Sequence, residues 1–250
     1  MVRNGLILLL SFFVLATSCQ KEDDDQPGDD KQQNEQSDST NNKQKGCTDE
    51  NAINYDPEAE VDNGNCELVP KATTPVVTKI TATWCAPCGA WGWNLMTNIE
   101  NNVSKDAIVM SCYSSQSSKF SNETAVKFGE DLTNFSAYPT FCVNWEEEQV
   151  YTQQPFSTFP DSVLAKEEAV KQKSPVANVG FMTQQKNDTI YVKSVTKFFK
   201  EVSNNYDKFH VGVYALEDKV EAKQKTGRSY EMKKHHHVLR GTLTDSVWGR

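Results

Sequence analysis

The sequence predicts an α/β core followed by an all-β segment, and three observations predict it. An apolar run (Val76, Val77, Ile80) leads into a dithiol at Cys85 and Cys88 and then into a helical repeat. Strand-like and helix-like patterns alternate from Thr74 to Ser174, as they do in a sheet whose strands are joined by crossover helices. From Val176 onward the helical period gives way to β-branched and aromatic residues in rough alternation with polar ones, which predicts strands.

The chain begins with an expected export signal over residues 1–19. Arg3 supplies the positive start, and Gly5 to Leu15 is mostly apolar but too short to span a bilayer. Leu15-Ala16-Thr17-Ser18-Cys19 resembles a bacterial lipobox, with Leu15 one place further from the cysteine than usual. The resemblance implies lipidation at Cys19; the alternative is ordinary cleavage near Ser18. The acidic run Glu22-Asp23-Asp24-Asp25 resembles the signal that sends lipoproteins of the Bacteroidota to the outer cell surface, and it also reads as a solvated tether. Residues 20–45 are polar without a large apolar side chain, so they are expected as a disordered linker.

Residues 46–69 form a small module bracketed by Cys47 and Cys66. It resembles a cysteine-bracketed motif of secreted proteins in the same bacteria. A disulfide closing a loop of this length contributes on the order of 3 kcal/mol. Asp49, Asp56, Asp62, Asn63 and Asn65 offer oxygens to calcium, but the spacing is not that of an EF-hand, and a disulfide staple is the simpler expectation.

In residues 74–174 the expected order is a strand over Val76–Trp84, a helix with Cys88, Trp91, Leu95, Ile99 and Val103 on one face, and a strand over Ala107–Tyr113. A helix capped by Ser121 follows, with Ala125, Phe128 and Leu132 on one face. Then come Tyr138-Pro139-Thr140, a hairpin turning at Trp145–Glu148 and returning through Val150-Tyr151, and a last helix between Pro160 and Lys173. Gly89 and Gly92 weaken the first turns of the dithiol helix, which an exposed cysteine loop tolerates.

Trp84-Cys85-Ala86-Pro87-Cys88 resembles the thioredoxin superfamily motif, differing from its usual form by Ala86 in place of Gly. The resemblance implies a thioredoxin-like core over 74–174, a cis-proline at Pro139 facing the dithiol, and a substrate wall made by Trp84, Tyr138, Pro139 and Thr140. Two features depart from the pattern. The buried family carboxylate aligns with Lys79, and no room exists between Cys66 and Val76 for the usual first strand and helix. Residues 175–250 are expected as a sandwich-like β domain. Their close, His235-His236-His237-Val238-Leu239-Arg240-Gly241, is similar to a family of Bacteroidota outer-membrane lipoproteins named for a twenty-eight-kilodalton outer membrane protein. That family also joins a thioredoxin-like core to a β domain.

The net charge of −8 is uneven. Residues 46–69 alone carry seven acidic and no basic side chains, so the remainder offers no basic face for nucleic acid. Seven cysteines behind an export signal point to an oxidising compartment. The expected activity is thiol–disulfide exchange with cell-envelope proteins by an outer-membrane lipoprotein. In this reading Cys85 at the exposed helix tip is the attacking sulfur and Cys88 resolves. The alternative is a non-enzymatic surface lipoprotein whose dithiol is a static disulfide. No cofactor and no metal is expected: Cys112 and Cys142 lie on separate strands, and three adjacent histidines on an edge strand point to alternate faces.

Overall fold

A computed structural model describes residues 5–11, 43–102, 107–131, 137–144, 159–201 and 209–249. The chain divides into two compact units, one of Met1–Phe12, Pro70–Val179 and Thr196–Arg250, the other of Phe13–Val69 and Gly180–Val195. The element order is β1 (Gly5–Ser11), β2 (Lys45–Gly46), β3 (Val61–Asp62), β4 (Val76–Ile80), α1 (Ala86–Gly89), α2 (Trp91–Asn102), β5 (Ile108–Cys112), α3 (Glu123–Asp131), β6 (Thr140–Val143) and α4 (Phe159–Lys171). The C-terminal strands are β7 (Ala177–Lys186), β8 (Thr189–Phe198), β9 (His210–Glu217), β10 (Val220–Thr226), β11 (Ser229–His235) and β12 (Val238–Thr242). Cys19 with the acidic run after it, the linker as far as residue 42, Val103, Leu132, and the hairpin through Trp145–Glu148 and Val150-Tyr151 lie outside the described residues.

The first unit is mixed α/β, built on a six-stranded sheet in the order β1-β9-β12-β5-β4-β6. Alternation along β4 sends its side chains to two different cores. Val76 and Ile80 pack with Met110, Ala125, Phe128, Tyr214 and Leu239 on the side covered by α3. Val77 packs with Leu95, Met96, Ile99, Phe141, Val163 and Val170 on the side covered by α2 and α4. Each fully buried aliphatic or aromatic side chain contributes about 1.5–3 kcal/mol. Asn122, rather than Ser121, caps α3: its Oδ1 accepts the Ala125 amide at 3.0 Å.

The expectation of a separate sandwich over 175–250 is corrected. β9 and β12 complete the central sheet, with β12 parallel to β5 and antiparallel to β9. Alternation identified these strands but not the sheet they join. The edge of β5 is filled from the far end of the chain, and the Ser111 amide donates to the His237 carbonyl at 2.8 Å there. β10 and β11 form a separate hairpin around Gly227, as do β7 and β8 around Asn187, and both turn residues have positive φ. β1 comes from the expected export signal and lies parallel to β9 in the unprocessed chain; cleavage before Cys19 would remove it.

In the second unit Cys47 and Cys66 are joined by a disulfide across a separation of 19 residues, and β2 pairs in parallel with β3. Its carboxylates hold turns: Asp49 accepts the Asn51 amide, Asp56 that of Glu58 and Asp62 that of Gly64, at 2.8–3.0 Å.

Candidate active site

β4 ends at Ile80, and the next four residues carry the chain to the dithiol turn at Cys85. Cys85 caps α1, with its Sγ accepting the Cys88 amide at 3.1 Å and Pro87 in the first turn. Cys85 and Cys88 form a disulfide with Cα atoms 5.2 Å apart. The helix beneath it is short, because α1 breaks at Ala90 before α2 begins. The electrostatic support for a thiolate at Cys85 therefore comes from the Cys88 amide more than from a long helix dipole.

The residues expected to surround the dithiol divide by role. Tyr138 packs on the cluster of Ala82, Cys85 and Cys88. The Trp84 ring, 40% exposed, meets Tyr138 edge-on at 5.7 Å, and its Nε1 donates to Ser115 Oγ at 3.0 Å. The Tyr138–Pro139 peptide is cis. Pro139 is buried against α2, where a Cβ on Gly92 would come within 2.5 Å of the Pro139 ring. Thr140 is fully buried, and its hydroxyl donates to the Ala137 carbonyl at 2.7 Å, so it shapes the loop and offers no free donor to a substrate.

The expectation of an exposed Cys85 is corrected: Cys85 is 4% exposed and Cys88 0%. The cover comes from β10, which sequence reading missed. Gln224, itself buried, donates through Nε2 to the carbonyls of Ala82 at 3.2 Å and Cys85 at 3.1 Å, and the Lys225 amide donates to the Thr83 carbonyl at 2.8 Å. Gly89 is a packing position, since a Cβ there would lie 2.1 Å from the Lys225 carbonyl oxygen. The signal available in the sequence was Thr226-Gly227-Arg228-Ser229 between two alternating stretches, a hairpin turn masked by its lysine-rich flanks.

Lys79 does not serve the dithiol. Its Nζ stands over the Trp93 ring, 5.2 Å from the centroid, and burial pushes its pKa down to about 8. The three histidines are likewise not a row of edge-strand residues. Only His235 belongs to β11, and it is 1% exposed. Burial pushes its pKa down to about 4, so the ring is neutral. Its Nε2–H then donates to the Ala222 carbonyl and its Nδ1 accepts from the Tyr113 hydroxyl. His236 bonds Asp218 at 2.7 Å, and His237 stands 3.9 Å from Glu100. Burial alone would raise the Asp218 carboxyl, but the His236 hydrogen bond and both neighbouring imidazoles hold it below its ordinary value.

Among solved structures the chain is similar to HBP35 of Porphyromonas gingivalis, with a TM-score of 0.54 and 12% identity. This likeness is one of fold alone. It covers 73% of this chain and 60% of that one, so the chain spans less than two thirds of HBP35. No family model and no curated protein matches.

Proposed function

We propose that this chain is a thioredoxin-like thiol–disulfide exchange protein, anchored through Cys19 to the outer membrane and acting on protein thiols and disulfides of the cell envelope. The observation that carries the proposal is the Cys85–Cys88 pair at a strand-to-helix junction, with an amide on the Cys85 sulfur and the Trp84–Tyr138 pair beside it. The parallel pairing of β12 with β5 supports the reading, because it offers a strand where the expected thioredoxin-like core lacks its first. The fold neighbour comes from the Bacteroidota, the group whose lipoproteins the N-terminus resembles.

In the reducing direction the Cys85 thiolate attacks a substrate disulfide, and one substrate sulfur leaves as a thiol. Cys88 loses its proton and attacks Cys85 Sγ. The substrate's second thiol leaves, and the pair ends as the Cys85–Cys88 disulfide. An envelope dithiol reductant then restores it by the same exchange in reverse. The Tyr138 ring forms one wall of the path, and the backbone before Pro139 holds an extended substrate segment.

A second reading rests on the β10 cover. With Cys85 4% exposed and Gln224 bonded across the turn, the disulfide acts as a staple in a non-enzymatic surface lipoprotein. Substitution separates the two. Cys88→Ser is expected to accumulate mixed disulfides with envelope proteins through Cys85, while the Cys85→Ser protein accumulates none. Absence of trapped species in Cys88→Ser would favour the staple.

A further inference from the structure

β4 is buried along its whole length, and its fourth residue is a lysine. Lys79 is 3% exposed, and among the described residues no acceptor lies within hydrogen-bonding or ion-pair distance of its Nζ. A buried ammonium without an anion is strongly destabilising, and such violations of folding logic concentrate at functional sites. The β4–β5 register sets Lys79 beside Ser111, and both line a cavity of about 420 Å³, within the range of small-molecule sites.

The rest of the cavity defines what it would take. Trp93, Met96, Thr97 and Glu100 lie at i, i+3, i+4 and i+7, so one face of α2 forms a wall that is apolar at Trp93 and Met96 and polar at Thr97 and Glu100. Lys233 and Lys234 add two cations on the side of β11. Lys233 stands 4.7 Å from the Trp93 centroid and donates to the Gly89 carbonyl at 3.2 Å. Against these cations the cavity presents one carboxylate, Glu100, whose pKa burial raises. His235 is neutral, and His236 is bonded to Asp218. The excess is positive: Lys233 also pairs with Glu231 at 3.9 Å, while Lys79 rests on the Trp93 ring and feels Glu100 only from beyond ion-pair distance.

We infer that this cavity binds a small organic carboxylate, with Lys79 as its charge partner and Trp93 as its apolar wall. The site is separate from the dithiol, so the inference stands whether or not the disulfide exchanges.

The test uses the oxidised protein with benzoate as the probe, followed by calorimetry and thermal shift. Benzoate is expected to bind the wild type and raise its melting temperature in proportion to the logarithm of concentration. Lys79→Met keeps the buried stem and removes the charge. It is expected to be at least as stable without ligand and to lose benzoate affinity at least tenfold. Glu100→Gln removes the opposing carboxylate and is expected to tighten binding several-fold. Inorganic phosphate is the competing arm. Lys79-dependent binding of phosphate without benzoate would overturn the carboxylate assignment. Binding of neither, or benzoate binding that Lys79→Met leaves unchanged, would overturn the site itself.

Discussion

Gln224→Met is the substitution that probes the cover over the dithiol. The side chain keeps its volume and loses the two hydrogen bonds it donates across the turn, at 3.1 and 3.2 Å, with a weaker local one to the Lys225 carbonyl at 3.3 Å. Neither acceptor is left orphaned, because the Cys85 carbonyl still takes the Gly89 amide and the Ala82 carbonyl still takes the Cys85 amide. The loss is therefore that of two ordinary neutral hydrogen bonds, about 2 kcal/mol together. For a unit of this size that is a fall of roughly 4–8 °C in melting temperature. If the hairpin must lift before a thiol reaches Cys85, the same 2 kcal/mol enlarges the open population roughly 30-fold. Reduction by dithiothreitol, followed by alkylation of the released cysteines, is expected to accelerate by that order. A stability loss of this size with an unchanged reduction rate would refute access through the hairpin.

Three further outcomes are expected. Gly89→Ala drives a Cβ into the Lys225 carbonyl; overpacking of about 1–3 kcal/mol outweighs the better helix propensity, and the disulfide becomes easier to reduce. Lys79 titrates at about 8 in the fold and at about 10.4 when unfolded, so the cost of burying its charge is fully present below pH 8 and relieved as the pH rises toward 10. Wild-type stability relative to Lys79→Met is expected to increase across that window by on the order of 3 kcal/mol, read from denaturant midpoints. Cys112 and Cys142 are buried and belong to neither disulfide, and burial together with the neighbouring Cys142 raises the Cys112 pKa. Mass spectrometry after alkylation is expected to find both unmodified in the native protein and both modified after denaturation.

The parts of the fold legible in the sequence are those written in short-range pattern. β4, β5 and a helix between them announced themselves by period, and the dithiol by its place between strand and helix, but the end of β4 at Ile80 and the break at Ala90 did not. What stayed illegible was which strand pairs with which. His210–Leu216 alternates in the same way whether it joins a sandwich or a central sheet, and only the vacant edge of β5 decides. The burial of Cys85 was hidden for the same reason, since Gln224 lies 139 positions away and sits among lysines. Lys79 stood out only as a missing carboxylate. The cavity it shares with Trp93, Met96, Thr97 and Glu100 exists only in the folded chain.

The central claim is that the Cys85–Cys88 pair exchanges disulfides, and its reduction potential tests this most directly. Equilibration of the full chain against glutathione or dithiothreitol buffers is expected to give a value within about −270 to −120 mV, the range of exchange proteins. A value below about −300 mV, the range of inert structural disulfides, would contradict it.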